Sequence, residues 1–290
     1  MSIVRAYGEG RFALSFELFP PKTPEAEQEL FRNVDELVAF EPSFITCTYG
    51  AGGSTRDKTL DVVEQVRLRY RLPVATHLTC VGSTVVQLRS YLAEAVARGI
   101  ENVVALRGDP PRGETAFQPV AGGLRYANEL VALIRSEFAQ LGVAVAGYPE
   151  KHQEAPSFDV DLANLKRKVD AGADVVITQL FYDNADFFRF RDRCDELAID
   201  VPIVPGVLPV TNFAQVRRIT ALCGARLPQR FVEDLEAAGD DAEAQFEVGT
   251  EFASRQVQSL IDGGAPGVHF YVLNKSHATA RVLRTVTRPA

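Results

Sequence analysis

At 290 residues the chain is long enough for two average domains or for one α/β barrel, so length alone does not choose. Its 31 Lys and Arg against 38 Asp and Glu leave a net charge of −7, which argues against a basic surface that binds nucleic acid by counterion release. With 46% hydrophobic and 24% charged residues, the composition is that of a folded globule, neither disordered nor collagen-like.

The opening residues MSIVRAYGEGRF place Arg5, Glu9 and Arg11 where a signal peptide needs an unbroken apolar stretch. No later run approaches a membrane span, so a cytoplasmic protein is expected, with no membrane and no nucleic acid among its partners. Cys47, Cys80, Cys194 and Cys223 lie far apart without a C-x-x-C pair, which points to reduced, buried thiols and to no metal site.

Short β-branched runs then alternate with segments of helical period. The runs are FALSFELF (12–19), SFITCTYG (43–50), PVATHLTC (73–80), NVVALRG (102–108), VAVAGYP (143–149), DVVITQLF (174–181), VPIVPGVL (201–208) and GVHFYVLN (267–274). After the first run, Leu30, Val34, Leu37 and Val38 recur at helical spacing behind Pro24, a residue suited to a first helical turn. After the third, Leu88, Leu92 and Val96 share a face that ends at Gly99, a fitting C′ residue. Residues 228–263, before the eighth run, hold an extra helix besides the seventh. Strands apolar on both faces suit a sheet covered by helices, and eight βα units favour closure. The expected architecture is one (β/α)8 TIM barrel, residues 1–290, with an extra helical insertion before strand 8. A doubly wound open sheet is the competing one.

A barrel of this kind carries its active site at the C-terminal ends of the strands. Those ends hold Glu17, Thr48, Tyr49, His77, Thr79, Arg107, Asp109, Tyr148, Glu150, His152, Gln179, Asn274 and Lys275. The set mixes hydrogen-bonding groups with carboxylates and imidazoles and suits a cofactor more than a metal. Glu17 lies in an apolar strand before Pro20 and Pro21, surroundings that suit a general acid near neutral pH. A solvated strand-end carboxylate or an ion-pair partner is the plainer reading.

GAGGSTRDKT (50–59) allows close backbone approach to a ligand without forming G-x-G-x-x-G. GEGRFA (8–13) matches a relaxed form of that fingerprint but precedes a strand, so it is not a Rossmann loop. GDPPRGET (108–115) carries Glu114 where a P-loop needs Lys. Around Gly108, Arg107 and Asp109 suit either a ligand site or an ion pair with each other. In HQEAPSFDVDLANLKRKVDAG, Asp161, Asn164 and Lys168 fall on one helical face with Arg167 beside it. That face is either solvated or able to grip a pyrophosphate and ribose. His77 reads as a strand histidine, and His269 and His277 as structural or surface residues.

FELFPPK, TYGAGGSTRDKT, HLTC, ALRGDPP, AGYPEKH, DLANLKRKVDAGAD, ITQLFYD, FRDRC, PGVLPV and FYVLN occur in an order and spacing that resemble the methylenetetrahydrofolate reductase family. The resemblance runs from about residue 12 to about residue 276. It implies a (β/α)8 flavoprotein that binds FAD and uses NADH or NADPH to convert 5,10-methylenetetrahydrofolate to 5-methyltetrahydrofolate, on the route to methionine. Ping-pong kinetics follow from one flavin serving two partners in turn.

By the same resemblance Glu17 is the general acid that protonates the folate N10 and opens the imidazolidine ring. Asp109 lies beside flavin and pterin, where it favours developing positive charge. Gln179 contacts folate and nicotinamide, and Gln215 and Lys275 contact folate. Thr48 lies near the flavin's reactive edge. The remaining FAD positions are Tyr49, His77, Arg107, Gly108, Asp109, Ala127, Tyr148, His152, Ala155, Asp161, Asn164, Arg167 and Lys168. The short bacterial pattern tilts the donor to NADH and implies a homo-oligomer, dimer or tetramer. Ile219 stands where family members place an aromatic that stacks on the folate aminobenzoate, so aliphatic contact or Phe213 takes that part. The chain stops at residue 290, short of the S-adenosylmethionine-binding domain of the eukaryotic enzymes, and allosteric inhibition of that kind is not expected. A Schiff-base lyase or aldolase using Lys275, or a non-catalytic pterin-binding barrel without flavin colour, are the alternatives.

Overall fold

The computed structural model describes residues 3–8, 12–49, 56–110, 113 and 117–289. The described elements begin with α1 (Ile3–Gly8), β1 (Ala13–Leu18), α2 (Pro24–Val38), β2 (Phe44–Cys47), α3 (Arg56–Tyr70), β3 (Val74–Thr79) and α4 (Val85–Ala97). Next come β4 (Asn102–Leu106), α5 (Ala127–Glu137), β5 (Gly142–Gly147), α6 (Phe158–Asp170), β6 (Val175–Thr178) and α7 (Asn184–Glu196). The chain continues through β7 (Ile203–Val204), β8 (Gly206–Val207), α8 (Phe213–Cys223), α9 (Gln229–Ala237), α10 (Ala242–Asp262), β9 (Gly267–Tyr271) and α11 (His277–Thr285).

The sheet order is β7-β6-β5-β4-β3-β2-β1-β9-β8, every pair parallel. Its two edges, β7 and β8, are consecutive in the chain with only Pro205 between them, so the sheet closes on itself. The expected eight-stranded barrel is therefore observed, with the seventh strand broken in the middle. Pro205 has no N–H to give to a ladder, and there the chain changes partners. Its carbonyl accepts the His269 N–H at 2.9 Å, and Gly206 N donates to Thr178 Oγ1 at 2.9 Å. The seam is tight: a Cβ on Gly206 would lie 2.2 Å from the Thr178 carbonyl oxygen.

Each predicted run extends past the C-terminal end of its strand, by a single residue at β1, β3 and β8. The surplus residues peel off as the loops that carry the polar candidates. Local signals hold well in the helices. Thr23 caps α2 by accepting the Ala26 N–H at 3.2 Å, with Pro24 directly after it, and Leu30, Phe31, Val34 and Leu37 are buried. At the end of α4, Gly99 adopts φ +75° while Gly99 N bonds Val96 O and Ile100 N bonds Ala95 O, a Schellman ending.

The insertion at 228–263 contains two helices, α9 and α10. Of these α10 takes the outer-ring place between α7 and α11. One large apolar core lies between the strands and the helix ring, and a smaller one fills the barrel floor. The helix α1, which sequence reading missed, plugs that floor. Its Ile3 and Tyr7 pack with Phe44, Val104, Val175 and Val204, and Ile3 N donates to Asn102 Oδ1 at 2.8 Å. The apolar spacing of Ile3, Ala6 and Tyr7 was the available signal.

Candidate active site at the barrel mouth

Alternation along β1 sends Leu14, Phe16 and Leu18 outward into the main core and leaves Ser15 and Glu17 on the barrel's inner side. Glu17 is only 7% exposed. Its Oε2 lies 3.4 Å from His77 Nε2 of β3 and 3.6 Å from His269 Nε2 of β9. Behind it, Ser15 Oγ lies 2.7 Å from His269 Nδ1 and 2.7 Å from Tyr7 OH. A polar line thus runs up the barrel from the floor helix to Glu17. His269 belongs to this interior line rather than to the surface, and the strand's period of two, shared by His269 and Tyr271, was the signal that could have found it.

Burial lowers the His77 pKa against the opposing pull of Glu17, and His269 lowers it further. Burial likewise raises the Cys47 thiol, with Glu17 adding to the effect. Among the described residues Thr46 Oγ1, His77 Nε2 and Thr79 Oγ1 are buried without a hydrogen-bond partner. Buried polar atoms are usually satisfied, so orphaned ones on β2 and β3 beside Glu17 point to a ligand.

A second group forms where β4, the β5–α6 segment and α6 meet. Arg107 forks onto Glu154 at 2.5 and 2.7 Å rather than pairing with Asp109. Glu154 N donates to His152 Nδ1 at 3.1 Å, and His152 N donates to Asp161 Oδ2 at 2.8 Å. His152 sets its ring edge-on to Tyr148, 4.7 Å between centroids. Lys168 donates to Ala146 O at 2.5 Å and stands 5.8 Å from the Tyr148 ring centroid. Burial pushes its pKa down to about 8, with Asp161 opposing. Burial also raises the Tyr148 phenol and, with Arg107, lowers His152. Gly108 takes φ +88° against Val81 and Thr79, where a Cβ would come within 2.6 Å of Val81 Cγ1. Asp109 is exposed, and its charge acts on both Arg107 and Tyr148. Glu154, which sequence reading passed over, is the joint of this group.

Other candidates lie outside the group. Asn164 and Arg167 are exposed and bond to each other at 2.5 Å, and Ala127 opens α5. Ala155 is buried, and its carbonyl accepts the Lys151 ammonium at 2.5 Å. Tyr49 is buried edge-on against Tyr91, and Thr48 N bonds Leu18 O at 2.8 Å. Gln179 Oε1 accepts the Leu180 N–H at 2.8 Å. Gln215 is half-buried in the first turn of α8, and Lys275 is exposed beside Asn274. Asn274 grips the backbone of Phe19 through two hydrogen bonds of 2.8 and 2.9 Å, which fixes the corner after Glu17. Phe213 and Ile219 both pack on a separate apolar cluster around Tyr182, Leu208 and Phe231. Residues 50–55 of the glycine-rich loop and 111–112 and 114–115 of GDPPRGET lie outside the described residues, as do 9–11 of GEGRFA. No described helix is long and apolar enough to cross a membrane.

Residues 2–287 match the family model described as Methylenetetrahydrofolate reductase. The chain is 40% identical over 278 residues to the 5,10-methylenetetrahydrofolate reductase of Escherichia coli (strain K12), covering 96% of this chain and 92% of that protein. It is 39% identical over 291 residues to Methylenetetrahydrofolate reductase (NADH) 1 of Zea mays, covering 97% of this chain but 49% of the maize protein, about half its length. An uncharacterized protein from Clostridium thermocellum that binds two copies of 5-methyl-5,6,7,8-tetrahydrofolic acid shares the fold, with a TM-score of 0.64 at 13% identity over 97% of both chains.

Proposed function

The chain belongs to the methylenetetrahydrofolate reductase family, and on that premise we propose that it reduces 5,10-methylenetetrahydrofolate to 5-methyltetrahydrofolate with FAD as cofactor and NADH, or less readily NADPH, as donor. The observation that carries this reading is Glu17, a carboxyl enclosed in the barrel beside two imidazoles and next to orphaned polar atoms.

The residues fit a flavin dinucleotide. Gly108 offers bare backbone beside the unsatisfied Thr79, and the desolvated Lys168 and Arg107 supply cations for a diphosphate. In this reading Arg107, Gly108, Tyr148, His152, Asp161 and Lys168 hold the dinucleotide. Thr48, Tyr49, His77, Ala127, Ala155, Asn164 and Arg167 complete its surroundings. When bound, FAD supplies a two-electron carrier that accepts hydride from the nicotinamide and gives it to the folate in separate half-reactions.

Glu17 holds the proton for the folate N10, and His77 and His269 fix its carboxyl in place. Asp109 lies where its charge favours a cationic folate during ring opening. Gln179, Gln215 and Lys275 orient the folate. An amine nucleophile needs desolvation, which the exposed Lys275 lacks, so nothing at that residue favours a Schiff base. The NADH in the maize relative's name supports that donor. The same reading takes residues 1–290 as one catalytic domain, located in the cytoplasm and assembled as a homo-oligomer.

The test is an absorbance spectrum of the purified protein, followed by anaerobic NADH and then methylenetetrahydrofolate. Bleaching of a flavin band by NADH and its return with folate is the expected result. A colourless protein that FAD does not reconstitute would overturn the reading and favour a pterin-binding barrel.

A further inference from the structure

The segment 148–157 carries Tyr148, His152 and Ala155 of the dinucleotide reading, while α8 carries Gln215 of the folate reading. Two sets of bonds tie this segment to the far end of α8. Gln153 Nε2 donates to Ala221 O at 3.3 Å and to Leu222 O at 2.9 Å, satisfying carbonyls that a helix C-terminus leaves open. Gly224 turns the chain at φ +78° against Gln153. Arg226 then reaches back: its N donates to Glu150 Oε2 at 3.0 Å, its Nε to Oε1 at 3.3 Å, and its guanidinium to Asp186 Oδ2 at 2.9 Å. Asp186, in the first turn of α7, also accepts Arg189 at 2.6 Å.

Two enclosed carboxyls, with side chains 11% and 3% exposed, therefore meet within hydrogen-bonding reach beneath Arg226, with Arg189 on the other oxygen of Asp186. Neither half of the proposed chemistry uses them. We propose that Glu150 is a positioning residue: a proton shared with Asp186 beneath Arg226 sets how firmly segment 148–157 is clamped to the end of α8. The clamp stands on this geometry alone, and its bearing on dinucleotide and folate rests on the functional reading above.

The charged and titratable groups facing Glu150 are Asp186 and Arg226, with Arg189 behind Asp186. Cys223 faces it across a narrow cleft that also takes in Tyr148 and Gln179. Lys151 turns its ammonium onto the carbonyls of His152 and Ala155 instead. Burial is the main cause that pushes the Glu150 pKa up to about 7, the Arg226 N–H opposes it, and Asp186 adds to it. A carboxyl whose folded pKa exceeds its unfolded value stabilises the fold while protonated. The clamp is firmest below the ordinary carboxyl range and loosens as pH rises from there through about 7.

Amide hydrogen exchange of the purified protein, corrected for intrinsic rates, tests this without any substrate. In the wild type, protection of residues 221–228 and 148–157 falls about tenfold from pH 6 to pH 8, the change for one unit of pKa, while α2 stays constant. Glu150→Gln is neutral at every pH, still accepts from Arg226 and donates to Asp186, and keeps its protection throughout. Asp186→Asn removes the like charge but not the burial, so it shrinks the fall without abolishing it and decides the matter if the first variant misfolds. A flat wild-type profile, a fall that persists in Glu150→Gln, or an undiminished fall in Asp186→Asn overturns the clamp. Flavin reduction and reoxidation are read separately, so loss of the activity reading leaves this result standing.

Discussion

Replacing Glu17 by Gln keeps the side chain's size and its place between His77 and His269 but removes the proton. A general acid contributes about 10²- to 10⁴-fold. Glu17→Gln is therefore expected to slow reoxidation of the reduced protein by methylenetetrahydrofolate within that range, while NADH reduces it at the wild-type rate. Stopped-flow measurement of the two half-reactions separates them, and an equal loss in both would make Glu17 structural. Lys168 offers a pH signature. Its pKa of about 8 in the free protein means that the ammonium is fully present only below that pH. A bound diphosphate raises that pKa, so FAD affinity is expected to weaken as pH rises through about 8, by at most tenfold per unit. Lys168→Met should bind FAD about 10- to 100-fold more weakly, the worth of a charge-assisted hydrogen bond, and lose that slope. A fluorescence titration from pH 7 to pH 9.5 reads both, and an unchanged slope in the variant would remove Lys168 from the phosphate site.

At the scale of elements the broken strand is a tightly packed seam. Gly206 lies where β6, β8 and β9 converge, against the Thr178 carbonyl that also accepts the Tyr271 hydroxyl at 2.7 Å. Gly206→Ala has no room for its methyl and is expected to cost about 2–3 kcal/mol by overpacking. The urea midpoint should drop accordingly, and an unchanged midpoint would mean that the seam opens freely. Most of the strands and ring helices were legible from period and punctuation, because Pro24 and Gly99 act through local backbone geometry. The split at Pro205 was not read in advance. A proline in a run of valines says that one N–H is missing, but only the neighbouring strands decide whether the ladder skips it or changes partner.

For the whole molecule, closure makes the floor as important as the mouth. The plug α1 buries Ile3 and Tyr7 almost completely, worth about 1.5–3 kcal/mol for each large side chain. Deleting residues 1–8 is expected to lower the thermal midpoint by about 10 °C, at roughly 2–4 °C per kcal/mol for a chain of this size. The same deletion removes the Tyr7 hydroxyl from the line that ends at Glu17. Calorimetry checks the first effect, and a midpoint within a degree of the full chain would show that the barrel floor holds without the plug.

What the sequence by itself determined is what acts locally or repeats: eight βα units, their caps, and ten motifs in register along the chain. These rest on backbone geometry and on hydrophobic period, which need no distant partner. The tertiary structure alone decided which charges meet. Arg107 chose Glu154, 47 residues away, over Asp109, and His269 came to Ser15 across 254 residues. Likewise Arg226 was drawn to Glu150 and Asp186 from two other elements. Ion pairs and hydrogen bonds carry no signature of their partner in the chain, because their energy depends on a separation that only closure of the barrel fixes.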